Sequence, residues 1–124
     1  MGINHKVLAD RVERGYQFLR EYGDALDLDL GQVDLDVLRM RDTHRCILGQ
    51  ANRASGWGSP YGQAMDRING AGLRGKLREH KWATRHGFDA CGADGDQSPD
   101  WVWDVLDTLW RERIARHREE VTAQ

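Results

Sequence analysis

The sequence has few of the features that would assign it to a functional class. It contains two cysteines and two prolines in 124 residues, and it nowhere reaches the run of about 18 apolar residues that a transmembrane helix needs. It has no local pair of metal ligands of the Cys-x2-Cys or His-x3-His kind, and no recognisable nucleophile beside a base. We therefore expect no membrane span, no metal or other cofactor, and no enzymatic activity.

The two cysteines, Cys46 and Cys91, are too few to predict a disulfide framework. They could form one bridge, but no apolar signal core follows the opening Met-Gly-Ile-Asn-His. We therefore expect reduced thiols in a cytoplasmic protein. Whether the two thiols lie close together stays open, as does the oligomeric state.

The net charge is small, at a formal value of −2. This value argues against a chain built as a whole to neutralise phosphates, because nucleic-acid modules usually carry a marked basic excess. The charges are nevertheless segregated: 21–36 and 89–107 contain acids without bases, whereas 67–85 contains six bases and one acid. The segments are either solvated faces that partly attract one another, or a basic surface between acidic ones that is open to a charged partner.

The composition, with 40% hydrophobic and 31% charged residues, predicts one folded domain covering 1–124. Apolar residues recurring every three or four positions predict that this domain is mainly α, compact and built from about five helices. Gly23 is expected to end the first helix in the left-handed conformation. The helices are predicted at 5–22, capped by Asn4; at 44–54, capped by Asp42 or Thr43; from Ser59-Pro60 to Gly70; at 73–86, where the helix is basic; and at 99–120, opened by Ser98-Pro99.

One segment near residues 26–41 lacks a helical pattern and is expected to be irregular or hairpin-like. Leucines alternate at 26, 28 and 30 before Gly31-Gln32, and further apolar residues alternate after it, a pattern typical of a hairpin. The alternative is a turn followed by one helical turn at 34–38. We prefer the helical turn, because aspartate is a poor strand residue and Asp34 can cap a helix.

Three patterns match known sites only in part. The acids at 94–100 lack the glycine and the closing glutamate of a calcium loop, and the glycines at 70–75 follow a helix where a dinucleotide loop follows a strand. The glycine segment is therefore interpreted as a connector, although anion binding at the start of the basic helix stays possible. A zinc site would need ligands that are far apart in the chain, so Cys46 is interpreted as a core residue. Those ligands would be His44, Cys46, His80, His86 and Cys91.

The basic segment at 73–86 is the predicted partner-binding surface. Its cations surround a tryptophan, so it could contact an acidic protein surface, or contact phosphates while the indole stacks on a base. In the last helix, Trp101, Trp103 and Trp110 cannot all share the core face, so at least one is expected near the surface. The residues expected to bind a partner are Arg74, Lys76, Arg78, Lys81, Trp82, Arg85 and Trp103.

The chain also carries five short motifs that are considered together here because of a resemblance to known proteins. They are Val33-Asp34-Leu35-Asp36-Val37-Leu38, Arg45-Cys46-Ile47-Leu48-Gly49-Gln50, Arg14-Gly15-x2-Phe18-Leu19, Gly87-Phe88-Asp89-Ala90 and Leu109-Trp110-x3-Ile114. The first two resemble the "IDLD-x-L … RC-V-L-G-Q" signature of small proteins encoded by many actinobacterial phages and prophages. The resemblance implies a phage accessory protein that binds and modulates a bacterial host protein without catalysis. The alternative is a small nucleic-acid-binding protein that uses the basic helix.

Overall fold

A computed structural model describes residues 3–54, 56–90 and 98–122, and this part of the chain is mainly helical, as expected. It contains no strand, and its one β-type pairing is an isolated bridge between Leu28 and Asn52. The elements are α1 at His5–Tyr22, a 3-10 turn at Leu30–Gln32, α2 at Ile47–Ala51, α3 at Pro60–Gly70, α4 at Glu79–Arg85 and α5 at Asp100–Thr122.

The first helix has the predicted bounds because its local signals are strong. The Asn4 side chain accepts a hydrogen bond from the Val7 amide at 3.0 Å, which satisfies one of the free donors at the helix start. The left-handed end predicted at Gly23 is wrong, since this residue has a φ of −55° and the chain continues through further turns. Glycine is needed there for another reason: an added Cβ would lie 3.0 Å from the Leu28 carbonyl oxygen and 2.4 Å from that of Leu19.

The segment 26–41 forms turns, so the hairpin is wrong and the preferred alternative is confirmed in outline. The Asp34 carboxylate accepts a hydrogen bond from the Asp36 amide at 2.9 Å, and the Val37 amide donates to the Asp34 carbonyl at 3.4 Å. The two halves do not pair with each other, because other elements bind their backbone groups. Asp29 donates to the Ala51 carbonyl at 2.8 Å, and the later half is held by α5.

Side chains of α5 hold this irregular segment against the core. The buried Asp107 carboxylate accepts a hydrogen bond from the Met40 amide at 2.6 Å. Arg111 donates to the Leu38 carbonyl at 2.7 Å and to the Leu35 carbonyl at 3.2 Å. Charged side chains on α5 therefore bind backbone groups that have no partner in a helix or sheet.

Two helices are shorter than predicted. The second begins at Ile47, because Asp42 caps a separate turn by accepting hydrogen bonds from the backbone amides of His44 and Arg45. The fourth begins at Glu79, and the predicted first half of the basic helix forms turns instead. Gly72 and Gly75 have φ values of 74° and 62°, a conformation that no α-helix contains.

The buried side chains form one hydrophobic cluster, to which α1 and α5 contribute along much of their lengths. In α5 the buried apolar residues Val102, Leu106, Leu109 and Ile114 recur at helical spacing. A second part of the cluster consists of aromatic rings in edge-to-face and stacked contact between α1, α4 and α5. Its members are Phe18, Trp82, Phe88 and Trp110.

Candidate functional site

The sequence motifs at 33–38 and 45–50 bind each other. The Gln50 side chain accepts a hydrogen bond from the Asp34 amide at 2.7 Å and donates to the Asp34 carbonyl at 3.2 Å. The same amide nitrogen also donates to the Arg45 carbonyl at 2.9 Å. Gln50 therefore joins the irregular segment to the start of α2, and we assign both motifs to folding.

Cys46 serves the same structural purpose. Its Sγ accepts a hydrogen bond from the Gly49 amide at 3.3 Å, and burial raises the pKa of the thiol to about 11. It is therefore a protonated core residue at neutral pH and a poor nucleophile. No group of three or more His, Cys, Asp or Glu side chains in the described ranges is placed to hold a metal ion. Cys91 and the acids Asp94 and Asp96 lie outside those ranges.

The motifs at 14–19 and 87–90 meet where α1 crosses the end of α4. The Arg14 guanidinium donates to the Arg85 carbonyl at 2.7 Å, and a Cβ added to Gly15 would lie 1.9 Å from the His86 carbonyl oxygen. The Gly87 carbonyl accepts a hydrogen bond from the indole nitrogen of Trp110 at 2.8 Å. The two helices are in close contact, and only glycine fits at position 15.

Two of the predicted partner-binding residues, Trp82 and Trp103, are buried. Trp82 is 3% exposed and stacks on His86, with ring centroids 4.1 Å apart. Trp103 is 7% exposed and lies beneath the Arg41 guanidinium. The prediction that these indoles face a partner is wrong, because the aromatic faces are used in the core. In the last helix it is Trp101, 47% exposed, that reaches the surface.

Arg74 is the third residue that differs from expectation. Its guanidinium donates to the Asn69 side chain and to the Leu77 carbonyl, so it holds the connection between α3 and α4. Lys76 lies on the same connection and is exposed. The structure therefore separates Arg74 and Lys76 from the cations of α4 itself.

The other three predicted cations lie at α4: Arg78 is its N-cap residue, and Lys81 and Arg85 belong to the helix. Successive residues of an α-helix turn by about 100°, so Lys81 and Arg85, which are four residues apart, project within about 40° of each other. All three are exposed, and no carboxylate in the described ranges lies within 4.0 Å of their side-chain nitrogens. Among the described residues they form one ridge of positive charge without an ion pair.

Two arginines of α1 extend this ridge. The pKa of Arg11 is lowered first by burial and then by the positive charges of Arg14 and Arg85, and the Arg14 guanidinium donates to the Arg85 carbonyl at 2.7 Å. Neither Arg11 nor Arg14 forms an ion pair in the described part of the chain. The sequence did not predict their involvement, because their approach to Arg85 depends on how α1 packs against α4. We call the set Arg11, Arg14, Arg78, Lys81 and Arg85 the cationic face.

A cleft of about 340 Å³ lies beside the cationic face, between α1 and the segment that connects α3 to α4. Apolar and aromatic side chains form much of its wall, and α1 contributes most of its polar groups. The lining residues are Arg14, Gln17, Phe18, Glu21, Tyr22, Leu73, Trp82 and His86.

His86 presents a hydrogen-bond acceptor in this cleft. Its Nδ1 lies 2.8 Å from the Trp82 carbonyl oxygen and must donate to it, which makes Nε2 the unprotonated nitrogen of the neutral ring. Burial lowers the pKa of His86, and the positive charges of Arg14 and Arg85 lower it further, while the hydrogen bond to Trp82 opposes the shift. The ring is therefore neutral at physiological pH.

A second exposed feature is the loop 56–58, whose central residue Trp57 is 98% exposed. The Gln63 side chain donates to the carbonyls of Gly56 and Gly58 at 2.8 and 3.0 Å, so the backbone on both sides of the indole is fixed. Asn52 in turn donates to the Gln63 side chain at 2.9 Å. The sequence itself indicates this exposure, because the glycines on both sides of Trp57 have no side chains that could cover the indole.

Comparison of the chain with family models, with curated proteins and with solved structures finds no match in any of the three. Across the described ranges, none of the helices is sufficiently long and apolar to cross a membrane. The geometry of the surface therefore provides the structural basis for a functional assignment.

Proposed function

We propose that this chain is an accessory protein of an actinobacterial phage or prophage that binds an acidic surface of a bacterial host protein. The interaction would modulate the host protein in its cytoplasm, without catalysis by the chain itself. The observation that carries this proposal is the cationic face, whose five cations lie on α1 and at α4, where these helices meet, and form no ion pair in the described ranges. The resemblance of the motifs at 33–38 and 45–50 supports the phage origin.

Clustered like charges oppose folding, and they stay unfavourable until an opposite charge approaches. Two acids of α1 pair with other cations: Glu13 pairs with Arg113 at 3.2 Å, and Asp10 pairs with Lys6 at 2.9 Å. A partner with carboxylates at matching positions would relieve the repulsion. Such complementarity chiefly increases the association rate and selects the partner.

The remaining groups with shifted pKa values support a non-catalytic role. Asp107 binds the Met40 amide, and burial raises the pKa of its carboxyl group. His117 lies 2.7 Å from the buried Tyr16 hydroxyl, and burial is the main cause of its lowered pKa. These two groups and Cys46 have separate structural roles, so they do not form one catalytic constellation of the kind that clusters perturbed groups in a cleft.

Nucleic-acid binding is the second candidate, because unpaired cations on one ridge also suit phosphates. Burial of Trp82 removes the indole that was expected to stack on a base. Binding through the cations alone would be insensitive to sequence and would weaken steeply with salt. This expectation separates the two candidates experimentally.

The experiment is affinity capture from a nuclease-treated actinobacterial lysate with three forms of the protein. One is the unaltered chain, and the second carries Arg78→Gln, Lys81→Gln and Arg85→Gln. The third is a matched control with Lys6→Gln, Arg20→Gln and Arg116→Gln, which removes the same number of exposed positive charges elsewhere.

We expect one host protein to be enriched by the unaltered chain and by the control, and to be lost with the altered cationic face. Enrichment by all three forms would contradict the proposal. Direct titration with duplex and single-stranded oligonucleotides at several salt concentrations tests the alternative. Tight binding with a steep salt dependence, together with no captured protein, would replace the proposal with nucleic-acid binding.

A further inference from the structure

The loop 56–58 presents one large apolar side chain to the solvent. Trp57 is 98% exposed, whereas Val121, the next most exposed large apolar side chain of the described residues, is 59% exposed. The glycines at 56 and 58 add no side chain beside the indole. Because folding buries almost none of this indole, its apolar surface is still available to a partner. Tryptophan is also enriched among the residues that dominate the binding energy of protein interfaces.

The backbone that carries Trp57 is held in place by the chain itself. The Gln63 side chain donates to the carbonyls on both sides of Trp57, at 2.8 and 3.0 Å, and accepts a hydrogen bond from Asn52 at 2.9 Å. The Asn52 oxygen accepts a hydrogen bond from the Arg67 guanidinium at 2.6 Å, so the support extends to a second side chain of α3. Since folding already orders this backbone, binding through the indole does not have to order it.

The bases next to this loop are bonded within the chain. The Arg53 guanidinium lies 3.9 Å from the Asp27 carboxylate, and the Arg53 amide donates to the Asp27 carbonyl at 3.0 Å. Arg67 donates to the Leu26 carbonyl at 2.7 Å. These bonds hold the acidic segment 24–27 against the support of the loop. Both bases are therefore poorly placed to attract nucleic-acid phosphates or anionic lipids to the indole.

Two acids near the loop are exposed and form no ion pair in the described ranges. Asp66 lies on α3 three positions after Gln63, which makes these two residues neighbours on the helix surface. Asp24 belongs to the segment 24–27. The surface beside Trp57 is therefore acidic, in contrast to the cationic face. Charges at the border of an interface select a partner of opposite sign and increase the association rate.

We propose that Trp57 is an anchor that enters a narrow apolar pocket of a partner protein with lysines or arginines at its rim. The partner must be concave, because a single projecting side chain buries most of its area only inside a pocket. The indole N–H donates to an acceptor within the pocket, as buried tryptophans usually do, and the basic rim faces Asp24 and Asp66. The inference goes beyond the proposed function, because the loop 56–58 lies outside α1 and α4. It shares with that proposal only the actinobacterial host as the source of the partner.

Photo-cross-linking from position 57 tests this arrangement directly. Trp57→p-benzoylphenylalanine keeps an aromatic side chain in the loop, and irradiation in a nuclease-treated actinobacterial lysate joins it covalently to the molecule that it contacts. Mass spectrometry then identifies the residue of the partner to which it is attached. We expect attachment inside an apolar pocket of one host protein, with lysine or arginine at the rim of that pocket.

Titration of the purified partner with two tryptophan variants measures the contribution of the indole. Trp57→Ala should weaken binding by about 30-fold or more, which is the effect of losing an interface hot spot. It should leave the urea midpoint of unfolding unchanged, because the indole is almost fully exposed. Trp101→Ala is the matched control, since it removes a half-exposed indole from α5 and should bind like the unaltered chain.

Two further variants test the support of the loop and the charges beside it. Gln63→Ala keeps the indole but removes the donors to the loop backbone, so it should weaken binding by roughly 5- to 30-fold, the effect of ordering one residue. Amide exchange at 56–58 should be faster in this variant before any partner is added. Asp24→Asn combined with Asp66→Asn should slow association at low salt and have little effect at high salt.

The proposal is overturned if the cross-link attaches to a flat or acidic surface, to lipid, to a second copy of this chain, or to no protein. It is also overturned if Trp57→Ala binds the identified partner as tightly as the unaltered chain. A partner that is lost with the altered cationic face and kept with Trp57→Ala would support the proposed function and overturn this inference. The reverse result would support this inference and contradict the proposed function, so the two failures are distinguishable.

Discussion

Replacing Arg85 with glutamate should stabilise the protein while it removes a contact from the cationic face. Arg85 lies close to the guanidinium groups of Arg11 and Arg14, and no carboxylate in the described ranges offsets them. The substitution changes two repulsive pairs into two attractive ones. Exposed charge pairs contribute about 0.2–1 kcal/mol each, so we expect a gain of about 1 kcal/mol in the free energy of unfolding. For a domain of this size that corresponds to a rise in Tm of about 2–5 °C.

Thermal and urea denaturation, followed by circular dichroism, measure this gain directly. The gain should shrink as salt is added, because the Debye length falls to about 3 Å at 1 M ionic strength. Arg116→Glu is the comparison. Arg116 has Glu112, Glu119 and Glu120 as helical neighbours, so its reversal should destabilise the protein slightly.

Equal losses of stability in both variants at low salt would contradict repulsion between Arg85 and the two arginines of α1. Such losses would mean that Arg85 has attractive interactions that outweigh its repulsion from Arg11 and Arg14. A stabilising effect that does not change with salt would also contradict it, since the gain would then come from packing or helix propensity.

The remaining predictions concern the scaffold. Gly15→Ala places a Cβ 1.9 Å from the His86 carbonyl oxygen, so it should cost about 3 kcal/mol or more in urea denaturation, and a smaller loss would show that α4 can move away. Gln50→Ala removes three hydrogen bonds to backbone groups and should cost about 2 kcal/mol by the same measurement. Cys46, with its pKa raised to about 11, should resist thiol reagents at neutral pH until the protein is unfolded; rapid labelling of the native protein at this position would contradict its burial. The pKa values of His86 and His117 are both lowered by burial, so the unfolded state takes up protons first as the pH falls. Stability should be complete above about pH 7 and decline below it, by at most about 1.4 kcal/mol per pH unit for each histidine, and replacing both by glutamine should flatten this decline.

Helices with strong local signals could be predicted from the sequence. The bounds of α1 follow from its apolar spacing and from the Asn4 cap. The third helix begins at Pro60, as expected, and the Ser59 side chain accepts a hydrogen bond from the Gly62 amide at 3.1 Å. In both places the information lies within a few residues of the helix end, so tertiary packing did not alter the outcome.

The basic helix was predicted too long because its charges were given more weight than its glycines. Gly72 and Gly75 adopt positive φ values, and they place 73–78 outside α4. The remaining cations then share one face of a short helix, instead of projecting in several directions. The role of Arg74 could not be predicted, because the sequence does not distinguish an arginine whose guanidinium binds backbone groups from one that faces solvent.

The exposure of the tryptophans depended on tertiary packing. Trp82 is covered by Phe18, Phe88 and His86, which come from three other positions of the chain. The closeness of Arg11 and Arg14 to α4 likewise requires the crossing of two helices at Gly15. Neither arrangement follows from spacing in one segment, and the cationic face therefore emerged only from the structure.

The most direct test of the cationic face is hydrogen exchange of the protein with and without its captured host partner. We expect slower amide exchange in the complex across α4 and across the part of α1 that contains Arg11 and Arg14. We also expect this protection to be lost with the altered cationic face and kept with the matched control. Protection confined to the loop around the exposed Trp57, with none in α4, would contradict binding by the cationic face and place the binding surface at that loop.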